Sequence, residues 1–178
     1  MIRRRQSGRG RSGARREGAA AVEFAFVALP FFMLIFGMLE LGMAFVLDSV
    51  LENAAMDTSR LVRTGQATAQ EYNAVKFKAA FCERTGVFKG DCQDRATIDV
   101  RVIPQFAATS PPDPIANGIL DPSKISYDGG APGDLVLVRV WYQQPLFTPL
   151  MSQAVSRLHN GTLLLTATTA FRNEPWNA

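Results

Sequence analysis

Histidine and cysteine are nearly missing from this sequence: His159 stands alone, and Cys82 and Cys92 are the only cysteines in 178 residues. A protein-built metal centre needs three or four such ligands clustered along the chain, so no metal and no cofactor is expected. Also lacking are a Ser/His/Asp or Cys/His nucleophile arrangement and a glycine-rich phosphate loop placed after a strand, and the acids are scattered. The expectation is therefore a protein that is not an enzyme. With 47% hydrophobic and 20% charged residues, the chain is too apolar for a disordered polymer. One ordinary domain plus an appendage accounts for its length.

Acidic residues are scarce at the start of the chain. Residues 1–18 carry seven of the 19 basic residues, Arg3, Arg4, Arg5, Arg9, Arg11, Arg15 and Arg16, against the single acid Glu17. The formal charge of +3 therefore averages a basic leader and a body holding 12 basic and 15 acidic residues. Arginine-rich leaders serve nucleic acid, anionic lipid or membrane topology. No aromatics are interleaved with these arginines, which favours topology over nucleic acid.

Charge then disappears. Residues 24–47 are 24 positions with Glu40 as the only ionisable group. At about 1.5 Å per residue a helix of this length reaches about 36 Å, enough to cross a hydrocarbon core of about 30 Å. Arginines flank its N-terminal end, while Asp48, Glu52 and Asp57 follow it. The positive-inside rule then keeps residues 1–18 in the cytoplasm, with Arg3, Arg4, Arg5, Arg15 and Arg16 as topology signal, and exports residues 48–178. Expected is a single-pass protein of the cytoplasmic membrane, in three parts: a disordered leader over 1–18, a transmembrane helix over 19–47 and an exported domain over 48–178. A cleavable secretory signal ending near Gly42-Met43-Ala44 is the rival reading of the apolar run. Against it, the run is long and helical periodicity continues beyond Leu47.

Pro30 lies inside the apolar run, and a kink is expected over residues 26–30. Val50, Leu51, Ala54, Ala55, Leu61 and Val62 recur at helical spacing, with Gly65 as the stop. Thr68 and Glu71 read as a capping box that opens a second helix, with Tyr72, Val75, Ala79 and Cys82 on one face and Gly86 near its end. In an oxidising compartment Cys82 and Cys92 are expected to form one disulfide, with residues 91–94 as a polar loop. Residues 97–103 alternate, placing Ile98, Val100 and Val102 on one face and Asp99 and Arg101 on the other. Strands are also expected over 135–142 and 162–172, with one or two helical turns over 150–158. Six prolines and four glycines between Pro104 and Gly133 predict a long surface excursion. The fold class expected is α+β, a long N-terminal helix leading into a small domain with a second helix and a three-stranded antiparallel sheet.

Glu23 is the odd residue. A carboxylate at the entrance of an apolar helix is costly unless it is paired or interfacial, although the helix dipole favours it there. A basic leader ending in Gly18, small residues Ala19 to Ala21, then Glu23-Phe24 and an apolar helix resembles the TadE-like family, pilin-like minor components of the tight-adherence (Tad/Flp) pilus system. FGMLELG over residues 36–42 and AFRNEPW over residues 170–176 extend the likeness.

The resemblance implies a minor pilin or pseudopilin-like subunit cut by a membrane aspartic prepilin peptidase between Gly18 and Ala19. Gly18, Ala19, Glu23 and Phe24 would form the processing site, with Glu23 the fifth residue of the mature chain. The partners implied are that peptidase, other pilin-like subunits, the Tad pilus assembly platform and the lipid bilayer, with no nucleic acid. The alternative is a single-pass, membrane-anchored exported binding module outside any pilus, using the excursion between Pro104 and Gly133 to contact a ligand.

Overall fold

Residues 14–22 consist of alanine, arginine, glutamate and valine apart from Gly18, and most of these are strong helix formers. In the computed structural model, which describes residues 11–106, 111, 114–156 and 158–176, the backbone is accordingly helical from Arg11. This helix, α1 (Arg11–Arg63), runs unbroken through Pro30. The leader expected to be unstructured over 1–18 is therefore helical in its second half. Its first ten residues, with Arg3, Arg4 and Arg5, lie outside the described residues.

The elements that follow are α2 (Gln66–Ala69), α3 (Ala74–Glu83), α4 (Lys89–Arg95), β1 (Ala96–Ile103), β2 (Ile115–Ala116), β3 (Ile119–Leu120), β4 (Leu135–Gln144), α5 (Pro149–Val155) and β5 (Leu163–Arg172). The chain divides into two units, Met1–Leu39 and Glu40–Ala178.

In the first unit the apolar side chains of α1 are bare. Phe24, Phe26, Phe31, Phe32 and Phe36 are all exposed. Phe31 meets Phe32 edge-on at 5.6 Å, and Phe32 stacks with Phe36 at 6.3 Å. Pro30 has no amide hydrogen to give the Phe26 carbonyl, and the helix continues past it.

The second unit is built on an antiparallel sheet in the order β1-β4-β5. Its registers run from Ala96 opposite Tyr142 to Ile103 opposite Leu135, and from Leu135 opposite Arg172 to Gln144 opposite Leu163. Val100, Val136, Val138, Val140, Tyr142 and Ala167 turn one face of this sheet into a core shared with Leu47, Leu51, Ala54, Ala55 and Val62 of α1. Those α1 positions lie three, four or seven residues from one another, with Ala54 and Ala55 side by side, the spacing that gathers side chains on one helix face. Burying a leucine such as Leu47 or Leu51 contributes about 1.5–3 kcal/mol. Inside the core the Thr58 hydroxyl donates to the Ala54 carbonyl at 2.7 Å.

The second long helix departs from expectation at both its start and its face. Asn73, not Thr68, caps α3: its side chain accepts from the Lys76 amide at 2.9 Å. Thr68 lies inside the four-residue α2, and Glu71 adopts a left-handed φ of 52° that ends any continuation. Starting at Ala74, the helix turns Phe77 and Phe81 inward with Cys82 and leaves Val75 and Ala79 exposed. Two phenyl rings bury more apolar area than a valine and an alanine, which decides the orientation.

Cys82 and Cys92 are disulfide-bonded across 5.5 Å between their Cα atoms. Residues 91–94, expected as a loop, belong to α4, where Arg95 and Asp91 form an i,i+4 ion pair at 3.0 Å.

Candidate functional site

Gly18, Ala19, Glu23 and Phe24 lie in sequence on α1, all exposed. Ala19 and Glu23 are four residues apart and share a helix face, about 6 Å apart along the axis. Among the described residues Glu23 has no hydrogen-bond or ion-pair partner, and a Cβ added at Gly18 would meet nothing within 4 Å. This part of α1 thus combines bare apolar side chains with the exposed carboxylate of Glu23.

Residues 18–60 match the family described as TadE-like protein. The TadE-like segment begins at Gly18, takes in Glu23 and the apolar run, and ends within the core-forming half of α1. Within α1, Gly18–Arg63 is long and apolar enough to cross a membrane. No curated protein and no solved structure matches the chain.

Three arrangements in the second unit were beyond what pattern reading alone could place. The first concerns Glu40, the single ionisable residue of the apolar run 24–47. Its carboxylate accepts the Phe147 amide and, at 3.2 Å, the Thr148 amide, so it holds the turn that leads into α5.

The second is the tail. The Glu174 amide donates to the Arg63 carbonyl at 2.9 Å, and the Arg63 guanidinium pairs with the Glu174 carboxylate at 3.2 Å. The last turn of a helix leaves carbonyls unpaired, and the tail supplies one of the donors. Trp176 lies against Gly65, which has a left-handed φ of 76° and would place any Cβ 2.5 Å from the indole. The Asn173 side chain donates to the Gly129 and Ala131 carbonyls at 2.8 and 3.1 Å. The AFRNEPW ending is thus the lock on the C-terminus of α1.

The third is a buried ionic cluster on the sheet face opposite α1. Asp99 is wholly inaccessible. Its carboxylate accepts from Arg101 Nε at 2.7 Å and again from Arg101 Nη2, from Arg139 Nη2 at 2.8 Å and from the Ser126 amide at 2.9 Å. Burial by itself would raise this carboxyl, but the Arg101, Arg139 and Ser126 bonds outweigh it and hold Asp99 below the usual aspartate range. Arg101 also donates to the Lys124 carbonyl at 2.9 Å and Arg139 to that of Pro111 at 3.1 Å, while the Arg139 guanidinium lies 4.9 Å from the Trp141 ring centre.

These bonds tie the stretch expected as a long surface excursion to the sheet. It carries the hairpin β2-β3, and it returns to β1 through a parallel bridge between Val100 and Tyr127. Tyr127 packs on Phe77 at 5.6 Å, and burial pushes its phenol up to about 12. Periodicity placed Asp99 and Arg101 on the correct face, but could not reveal that the returning chain covers that face.

Proposed function

We propose that this chain is a non-enzymatic, pilin-like structural subunit of a Tad pilus system. It would be made as a precursor and cut by a membrane aspartic prepilin peptidase between Gly18 and Ala19. The observation that carries the reading is the TadE-like match over residues 18–60, which opens on Gly18 and includes Glu23.

Elementary chemistry gives the spacing a purpose. Cutting α1 at Gly18 leaves an ammonium on Ala19 and a helix start with about four unpaired N–H groups. Glu23, one turn further along the same face, is then the acceptor for the ammonium of a neighbouring subunit displaced by about one turn. Pairing would offset two charges that are each costly at the lipid boundary, and it would fix the register between subunits. Arg3, Arg4, Arg5, Arg15 and Arg16 would hold the leader in the cytoplasm, where the peptidase acts, and leave residues 48–178 outside. The other partners in this reading are pilin-like subunits, the pilus assembly platform and the bilayer.

Replacing Glu23 tests the pairing. Glu23→Ala raises the hydrophobicity of the helix, so the variant is expected to reach the membrane fraction normally, yet to co-purify poorly with the other pilus components. Undiminished co-assembly of Glu23→Ala would remove the pairing argument.

A further inference from the structure

The apolar surface of α1 does not stop at its carboxylate. Beyond Glu40, the side chains of Leu41, Met43, Phe45 and Val46 are still exposed, and polar character begins only with Asp48 and Ser49. At about 1.5 Å per residue, Glu40 lies about 9 Å inside the outer end of this bare run. A free carboxylate at that depth is unfavourable.

Glu40 is not free: it accepts the Phe147 and Thr148 amides. Those bonds bring the turn at 145–148 to the same level of the helix, inside the bare apolar run. The side chain presented there is Phe147, 86% exposed and the most exposed phenylalanine in the second unit. A phenyl ring left in water at this level is buried against nothing in the described domain, whereas transfer into lipid removes its apolar surface from water.

We propose that the turn at 145–148 is a second membrane contact: Glu40 holds it against α1, and Phe147 enters the outer leaflet of the bilayer. Its occupant is lipid, because the turn adds Phe147 to the exposed apolar surface of Leu41, Met43, Phe45 and Val46. The two amides also satisfy the carboxylate, which lets an ionisable group lie within the apolar run. This inference rests on the membrane reading of α1.

The test uses the full chain in vesicles of phosphatidylcholine and phosphatidylglycerol without reductant, so that the bonded Cys82 and Cys92 stay unreactive. Phe147→Cys, Phe36→Cys and Val87→Cys are each labelled with an environment-sensitive fluorophore, and lipids carrying a nitroxide at a shallow or a deep acyl position are added as quenchers. Phe36 reports the span itself. Val87, 93% exposed in the turn before α4, reports the aqueous domain. Expected is loss of emission at 147 with the shallow quencher, loss at 36 with the deep one, and none at 87.

Adding Glu40→Ala should reduce quenching at 147 to the level seen at 87 while leaving 36 unchanged. Glu40→Gln, whose carbonyl still accepts one amide, should retain part of it. Quenching at 36 without quenching at 147 overturns the second contact and leaves the span intact. No quenching at 36 overturns the span and this inference with it. Quenching at 147 that survives Glu40→Ala refutes the role of Glu40.

Discussion

Replacing Gly65 with alanine should weaken the domain through two separable effects. Gly65 follows the end of α1 with φ 76°, a conformation that costs an L-residue about 1–2 kcal/mol. The new methyl would also lie 2.5, 2.6 and 2.8 Å from three indole atoms of Trp176, so the ring must leave. Trp176 is half-buried, and losing part of its apolar contact costs about 1–2 kcal/mol. Together these give about 2–4 kcal/mol. With a urea slope of about 2 kcal/mol/M, the midpoint should fall by about 1–2 M. Pulse proteolysis of the detergent-solubilised full chain across a urea series reads that midpoint without relying on tryptophan emission. The cycle with Trp176→Ala is decisive. Once the ring is gone, Gly65→Ala should cost only the backbone share, about 1–2 kcal/mol. Equal penalties in both backgrounds would show that the tail does not lock α1, and a wild-type midpoint for Gly65→Ala would refute the whole argument.

Three further outcomes are expected. Asp99 has a depressed carboxyl in the folded chain, so its contribution is full above the unfolded aspartate value of about 3.9 and is lost as pH falls through the lower folded value; amide exchange at Ser126 should accelerate over that acid range, and an Asp99→Asn variant with unchanged Ser126 protection near neutral pH would contradict the cluster's role. Cys82→Ser opens a short loop, between cysteines ten positions apart, at a cost of about 3 kcal/mol; protease resistance should fall in the domain around α3 and α4, and unaltered resistance would count against it. Glu23→Ala, by contrast, should leave the domain's urea midpoint unchanged, because Glu23 touches nothing described in it; a shifted midpoint would mean that its effect on assembly is not specific.

Local periodicity made much of this fold legible. The strand expected over 97–103 is observed as Ala96–Ile103, and that expected over 162–172 as Leu163–Arg172. Gly65 as the stop of α1 and the pairing of Cys82 with Cys92 are also observed. Each depends on neighbouring residues or on the cysteine inventory, and so can be read along the chain.

The features that were missed depend on partners distant in sequence. Asp99 looked like an ordinary outward residue because Arg139 and Ser126, 40 and 27 positions away, cannot be assigned to it from spacing. Glu40 meets Phe147 and Thr148 more than a hundred residues on. The face of α3 depends on where the helix starts: Asn73 caps it and not Thr68, and the packing of Phe77 and Phe81 that goes with that start involves partners distant in sequence. In the TadE-like segment, Glu23 stood out because a charge beside an apolar run needs an explanation, whatever the tertiary structure.

Intact-mass spectrometry of the protein extracted from membranes of cells with an active prepilin peptidase tests the central claim most directly. The account predicts a chain beginning at Ala19, with the ammonium there available to a neighbouring Glu23. A chain that retains Met1 and its arginines, or one beginning after Ala44, would contradict it.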